Sequence, residues 1–286
     1  MQRVTFTSAR GETVELYHHP FFLNKIEGLG DVGSETQTQK APGQDGSTPV
    51  TVALEERAIP MEVTVLENLL ENRQLLSRVF NPRLGPGTLT YDNGLVQWQI
   101  KAQSEHVPTF PDHRPRRTQS VFIDLICHDP YWTSGNPVKT EIAFWQPAWE
   151  FPLSIDHEMG MEFGFRSPTL IVNVNNEGHA DTGMIIKFVA TKTVVNPTLT
   201  NVETMEFMKI KRTMEAGDIL TINTNDFKKS ITLTRAGITT NAFNDIVFGS
   251  TFLKLLVGDN LFRYSSDEYE EFLEVSIYHD NRYVGV

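Results

Sequence analysis

A chain of 286 residues with 40% hydrophobic content carries enough apolar side chain for one large or two ordinary domains, which excludes wholesale disorder. Its formal net charge of −11, with no basic tail to offset it, excludes nucleic-acid binding through phosphate contacts, because these need clustered Lys and Arg. A single cysteine, Cys127, excludes an intrachain disulfide.

The first segment, MQRVTFTSARGETVEL, lacks the apolar stretch of a secretory signal, and no later run approaches the roughly 18 apolar residues of a membrane helix. Synthesis in a cytoplasm without a membrane anchor is therefore expected. Val4-Thr5-Phe6 and Thr13-Val14-Glu15-Leu16, split by Arg10-Gly11-Glu12, predict an opening hairpin that Phe21–Leu23 and Lys25–Leu29 continue. Residues 30–49 (GDVGSETQTQKAPGQDGSTP) have no apolar period and predict a long exposed loop, and loops of that length usually bear an interaction. Val50–Leu54 and Ile59–Val65 predict strands. Glu67 to Phe80 (ENLLENRQLLSRVF) predicts the one helix, with Leu69, Leu70, Leu76, Val79 and Phe80 near one face and Asn81-Pro82 as its stop. Asp92-Asn93-Gly94 between Thr88–Tyr91 and Leu95–Ile100 predicts a tight hairpin.

Val121 to Cys127 closes this unit as a strand, with Cys127 a small buried residue and His128 facing the other way. The turn-rich HDPYWTSGNP segment (128–137) sets the boundary between domains at 1–134 and 135–286. Beyond it, short strands alternate with turns: Glu141–Trp145, Thr169–Val174, Gly183–Ala190, Glu206–Ile210, Ile219–Thr224, Ser230–Thr234 and Val275–Tyr278. Within these, Asn196 to Leu233 reads as a continuous meander cut by Asn196-Pro197, Ala216-Gly217-Asp218 and Asn223–Asp226. The fold class is mainly β, in two domains: an N-terminal β-sandwich with one helix and a C-terminal β-sandwich.

Little in the chain points to chemistry. The eight histidines are scattered with no metal-ligand spacing, and nucleophile elbow, phosphate loop, dinucleotide fingerprint and zinc signature are all missing. No catalytic, metal or cofactor residue is assigned. Asn173–Gly178 lacks the ligand pattern of a calcium loop and reads as a turn. Trp132, Trp145 and Trp149, with Tyr131, Phe144 and Phe151, form an aromatic cluster. It suits either a sugar-stacking platform or packing between layers. His113-Arg114-Pro115-Arg116-Arg117 is a short basic cluster suited to a subunit contact, and Ser265–Glu271 is an acidic run suited to a solvated loop or to pairing in an oligomer.

Several segments together carry a resemblance. They are Asn24–Leu29, the loop ending in Asp45-Gly46, the run to Arg57-Ala58-Ile59, the helix stopped by Asn81-Pro82, and Asp129-Pro130-Tyr131-Trp132. In the second half come Asn175–Gly178, Asn196–Asn201, Ala216–Thr224, Gly258–Tyr264 and Tyr283–Val286, in that order. In order and spacing the chain resembles the distal tail (Dit) protein family of long-tailed phages, the siphovirus tail-component family. The resemblance implies a ring-forming N-terminal belt domain and a galectin-like C-terminal docking domain. It implies a homo-hexamer between the tail tube protein and the tail-tip protein, at the distal end of the virion tail. Receptor-binding or side-fibre proteins would dock on it, and DNA would pass through its channel without specific binding. Asp45, Gly46, Arg57, Arg114, Arg116 and Arg117 are then the expected ring contacts. The competing expectation is a carbohydrate-binding module for host cell-wall adsorption, to which exposed Trp145 and Trp149 would point.

Overall fold

The computed structural model describes residues 2–111, 117–143, 145–147, 164–166 and 171–286, with residues 142, 143, 145–147 and 164–166 described as backbone only. The chain divides into two compact units: residues 1–136 with 282–286, and residues 137–281.

The first unit contains β1 (Arg3–Thr7), β2 (Thr13–Glu15), β3 (Tyr17–His18), β4 (Phe21–Ile26), β5 (Ser34–Gln39), β6 (Thr48–Leu54), β7 (Arg57–Val65), α1 (Leu69–Val79), β8 (Gly87–Asp92), β9 (Gln97–Ser104), β10 (Gln119–Cys127) and β11 (Trp132–Thr133). Its main sheet runs β2-β1-β8-β9-β10-β7-β4-β3, all antiparallel where paired. Strict alternation makes the strands: Ile59, Met61, Val63 and Val65 on β7 and Val121, Ile123, Leu125 and Cys127 on β10 all point into one core. Helix α1 closes that core with Leu76, Val79 and the following Phe80, whose ring stacks on Phe6 at 4.6 Å. The helix starts two residues later than predicted, because Asn68 sits in the left-handed region and caps it there. Leu70, expected on the buried face, is exposed, and Leu75 packs inward instead.

Two loop readings change. Asp92 pairs with Gln97, so the β8–β9 connection is the four residues 93–96, and Leu95 and Val96 belong to the loop and not to the strand as predicted. Only Gly94 takes positive φ there, and Asn93 Oδ1 accepts from the backbone N–H groups of Leu95 and Val96. Residues 30–49 are not a structureless loop. They supply β5 and the turn of a hairpin whose other strand is β6.

The second unit contains β12 (Val138–Ala143), β13 (Trp145–Pro147), β14 (Gly164–Arg166), β15 (Ile171–Asn176), β16 (Met184–Ala190), β17 (Val194–Val195), β18 (Thr198–Asn201), β19 (Phe207–Lys209), β20 (Thr213–Met214), β21 (Ile219–Asn223), β22 (Ser230–Arg235), β23 (Ile238–Asn241), β24 (Gly258–Ser265) and β25 (Leu273–His279). A six-stranded sheet, β12-β25-β16-β21-β22-β23, and a four-stranded sheet, β15-β24-β18-β19, share one core. Met184, Ile186, Phe188, Leu220, Ile222, Val275 and Ile277 come from the first sheet, and Val174, Leu199, Met208, Phe262 and Tyr264 from the second.

The Asn196–Leu233 meander is therefore split. Its three turns fall where the sequence puts them, but β18–β19 is a hairpin of the four-stranded sheet and β21–β22 a hairpin of the six-stranded one. Local turn chemistry fixed each hairpin, and burial of Met208 and Leu220 from opposite sides of the core fixed which sheet each joined. The Ala216–Asp218 turn is held from within. Asp218 is buried, its Oδ2 accepts from Arg235 Nη2 at 2.5 Å, and that hydrogen bond holds its carboxyl below the usual carboxylate range.

After β25 the chain returns to the first unit, where β26 (Arg282–Tyr283) pairs with β11. Just before that return lie His279 and Asp280. Burial pushes the His279 imidazole below its ordinary value and the Asp280 carboxyl above its own. A histidine that resists protonation when folded contributes stability above the unfolded value of 6.5 and loses it as pH falls below that value. Asp280 has the opposite sign, contributing stability at low pH and losing it as pH rises through its raised value. Between pH 7.5 and 5.5 the second unit is thus expected to lose stability on acidification through His279. His279→Leu should flatten that slope in denaturation midpoints taken across the range; an unchanged slope would remove His279 as the cause.

Candidate assembly surfaces

The β5–β6 hairpin is a two-stranded sheet of its own that pairs with no other strand among the described residues. Every residue of β5 is exposed, as is every residue of β6 except the half-buried Leu54. The base is closed by the Glu55 N–H donating to Gly33 O at 2.9 Å. The tip is ordered by Gln44, whose Nε2 donates to Thr48 Oγ1 at 3.0 Å, and by positive φ at Gly43 and Gly46. Register places Val52 opposite Thr36 and Thr51 opposite Gln37. One face of the ribbon thus carries Val52 and Leu54 with Thr36 and Ser34, and the other carries Thr51, Ala53, Glu35 and Gln37. Val50 and Val52 are 63% and 62% exposed. A lone two-stranded ribbon is marginal in water, so an apolar face left this open is one that wants cover.

Asp45 and Gly46 lie exposed at the hairpin tip. Arg117 is exposed just before β10, and Arg114 and Arg116 lie outside the described residues. Arg57 is a correction. Expected at a subunit contact, it is fully buried, and its guanidinium is spent inside the first unit. Nη1 donates to Gly28 O at 2.7 Å, Nε to Pro130 O at 2.8 Å, and Nη2 to Val284 O. Burial lowers its pKa from the ordinary arginine value, with no carboxylate in ion-pair reach among the described residues. Arg57 thus ties three distant segments together, and Gly28 is there because its φ of +79° and the approach of Ala58 O leave no room for a Cβ. A buried arginine held only by carbonyls carries no sequence signal that separates it from a surface one.

Trp132 is also fully buried. Its indole Nε1 donates to Leu29 O at 3.2 Å, and its ring lies 6.4 Å from that of Tyr91. It offers no face to a sugar. Trp145 is described as backbone of β13 only, and Trp149, Phe144 and Phe151 lie outside the described residues. Cys127 is buried and its thiol is pushed up to about 12 by desolvation, so it is inert at neutral pH. His128 points outward and pairs with Glu56 at 2.8 Å. Among the described residues no three His, Cys, Asp or Glu side chains gather into a metal-binding group.

Comparison with known proteins decides the family. The siphovirus-type tail component, C-terminal domain, matches residues 177–283, and the phage tail protein RIFT-related domain matches residues 9–127. The chain belongs to the siphovirus tail-component family. The second match lies within the first compact unit, and the first match lies within the second unit except for residues 282 and 283. A search of curated proteins gave no significant match. Among solved structures this tail component is similar to the Dit (gp 19.1) protein of phage SPP1, described as a paradigm of hub adsorption apparatus in phages infecting Gram-positive hosts. The TM-score is 0.73 at 14% identity, over 99% of each chain. It is also similar to a chain of the phage p2 baseplate in its activated conformation, with a TM-score of 0.60 at 11% identity over 100% of each chain. At such identities the likeness is one of fold. These neighbours are structural tail and baseplate components.

Proposed function

We propose that the chain is a non-enzymatic structural subunit of a homo-hexameric ring at the distal end of a phage tail. The first unit forms the ring, joining the tail tube to the tail-tip protein, and the second unit is the docking platform for receptor-binding or side-fibre proteins. The observation that carries this is the exposed β5–β6 ribbon, an arm with an apolar face that no described residue covers, in a protein of tail-hub fold. A neighbouring subunit supplies that cover, with Asp45 and Gly46 at the arm's tip and the exposed Arg117 segment as further contacts. A head-to-tail contact of this kind closes into a ring when its rotation divides the circle. The acidic balance of the chain suits a channel through which DNA slides without being held.

Light scattering on the purified chain is expected to give a mass near six times 32.4 kDa, with the partners' own masses added where tube and tip proteins are needed to drive assembly. Val50→Glu together with Val52→Glu should drive the mass toward that of one chain while leaving the fold intact, because both side chains are exposed in the isolated subunit. A chain that stays monomeric even with its partners would sink the ring reading.

A further inference from the structure

The second unit carries opposite chemistry at its two ends. Where β16 begins, the Met184 N–H donates to Thr224 Oγ1 at 2.9 Å, and the loop that follows Thr224 holds Phe227, Lys228 and Lys229, all exposed. Phe227 is 97% exposed on a left-handed backbone with φ of 62°, a conformation bulky residues avoid. Lys229 Nζ lies 5.1 Å from the centre of the Phe252 ring, which stacks on Phe243 at 5.9 Å. Lys254 borders the group and pairs with Asp226 at 3.0 Å. Phe227 and the exposed Lys228 and Lys229 thus share this end of the unit.

Where β16 ends, the Thr191 N–H donates to Phe272 O at 2.9 Å. The segment before Phe272 exposes Asp267, Glu268, Tyr269 and Glu271. Tyr269 also stands on a left-handed backbone, φ 63°, and is 51% exposed between carboxylates. Lys209 already neutralises Asp267 at 2.6 Å, and the exposed Glu268 and Glu271 outnumber the one further lysine at this end, Lys192, whose Nζ lies 4.5 Å from the centre of the Phe272 ring. The seven residues of β16 separate the two ends by about 20 Å.

We propose that the Phe227–lysine end of one copy docks on the Tyr269–glutamate end of another, adding a contact between second units to the ring. The proposal rests on the reading of the chain as a ring subunit. Each end presents an aromatic side chain held out by a left-handed residue and flanked by charge, positive at one end and negative at the other. Two like ends repel, so self-pairing across a two-fold axis is disfavoured and the contact is head-to-tail. Desolvated aromatic surface supplies the attraction and the unlike charges set which end meets which.

The test is sedimentation velocity on the full chain at low and high salt. Lys228→Glu with Lys229→Glu, and separately Glu268→Lys with Glu271→Lys, should each weaken self-association about tenfold at low salt, with melting unchanged. Mixing the two variants should restore association, because the reversed ends again complement each other. Rising salt should weaken the unaltered chain's contact. An unaltered chain that is monomeric throughout, either variant associating as before, or a mixture that fails to recover would overturn the proposal. So would loss confined to the lysine variant, which would assign that end to an acidic partner protein or a polyanionic polymer. If the hairpin valine variants lower the mass and the charge reversals do not, the ring stands and this contact falls.

Discussion

Arg57→Ala is expected to destabilise the first unit by about 3–5 kcal/mol, because it strands three carbonyls at about 1–3 kcal/mol each and leaves a cavity, with water relieving part of the cost. The carbonyls belong to Gly28, Pro130 and Val284, so the loss reaches across the unit and is not confined to β7. Native-state hydrogen exchange should show β7 and β10 amides exchanging from a less stable state, since Arg57 pairs with Cys127 in their ladder. Amides of residues 282–286 should also exchange faster, because Val284 O loses its donor. Arg57→Lys keeps the charge but cannot reach three diverging acceptors with one ammonium group, and should recover only part of the loss. Exchange within about 0.5 kcal/mol of the unaltered protein, the range of a surface substitution, would show that Arg57 is not the tie the geometry makes it.

Trp132→Ala is expected to cost about 3–5 kcal/mol as a large-to-small change at a fully buried site. Trp132→Phe should cost less, keeping the ring contact with Tyr91 while leaving Leu29 O without its donor. Denaturant unfolding followed by hydrogen exchange in the first unit measures both. The result also separates two readings of this residue: a sugar-stacking tryptophan would lose glycan binding at little cost in stability, whereas a packing tryptophan loses stability. An alanine variant as stable as the unaltered chain would overturn the packing role.

Legibility in the sequence followed physical locality. The strands at Ile59–Val65 and Val121–Cys127, with Cys127 buried, were legible because period-two burial is written residue by residue. The turns at Asn196, Gly217 and Asn223–Asp226 were legible because positive φ and side-chain-to-backbone hydrogen bonds are local. The helix was found with its end right to within one residue and its start placed two residues too early, since only the backbone at Asn68 decides the entry. Strand β5, SETQTQ, was missed because a strand exposed on both faces has no burial pattern. Its signal was the alternation of Val50, Val52 and Leu54 across the turn, which required a partner strand.

The sequence by itself determined the β class, the two-unit division, several hairpins and the tail-component resemblance, because these rest on patterns within about ten residues or on their order along the chain. Only the tertiary structure decided which hairpin joins which sheet, that Arg57 and Trp132 lie inside, that β5–β6 stands out as an arm, and that the last residues return to the first unit. Those outcomes depend on contacts between residues far apart in the chain, such as Arg57 with Val284 or Trp132 with Leu29, whose energies exist only once the core has brought them together.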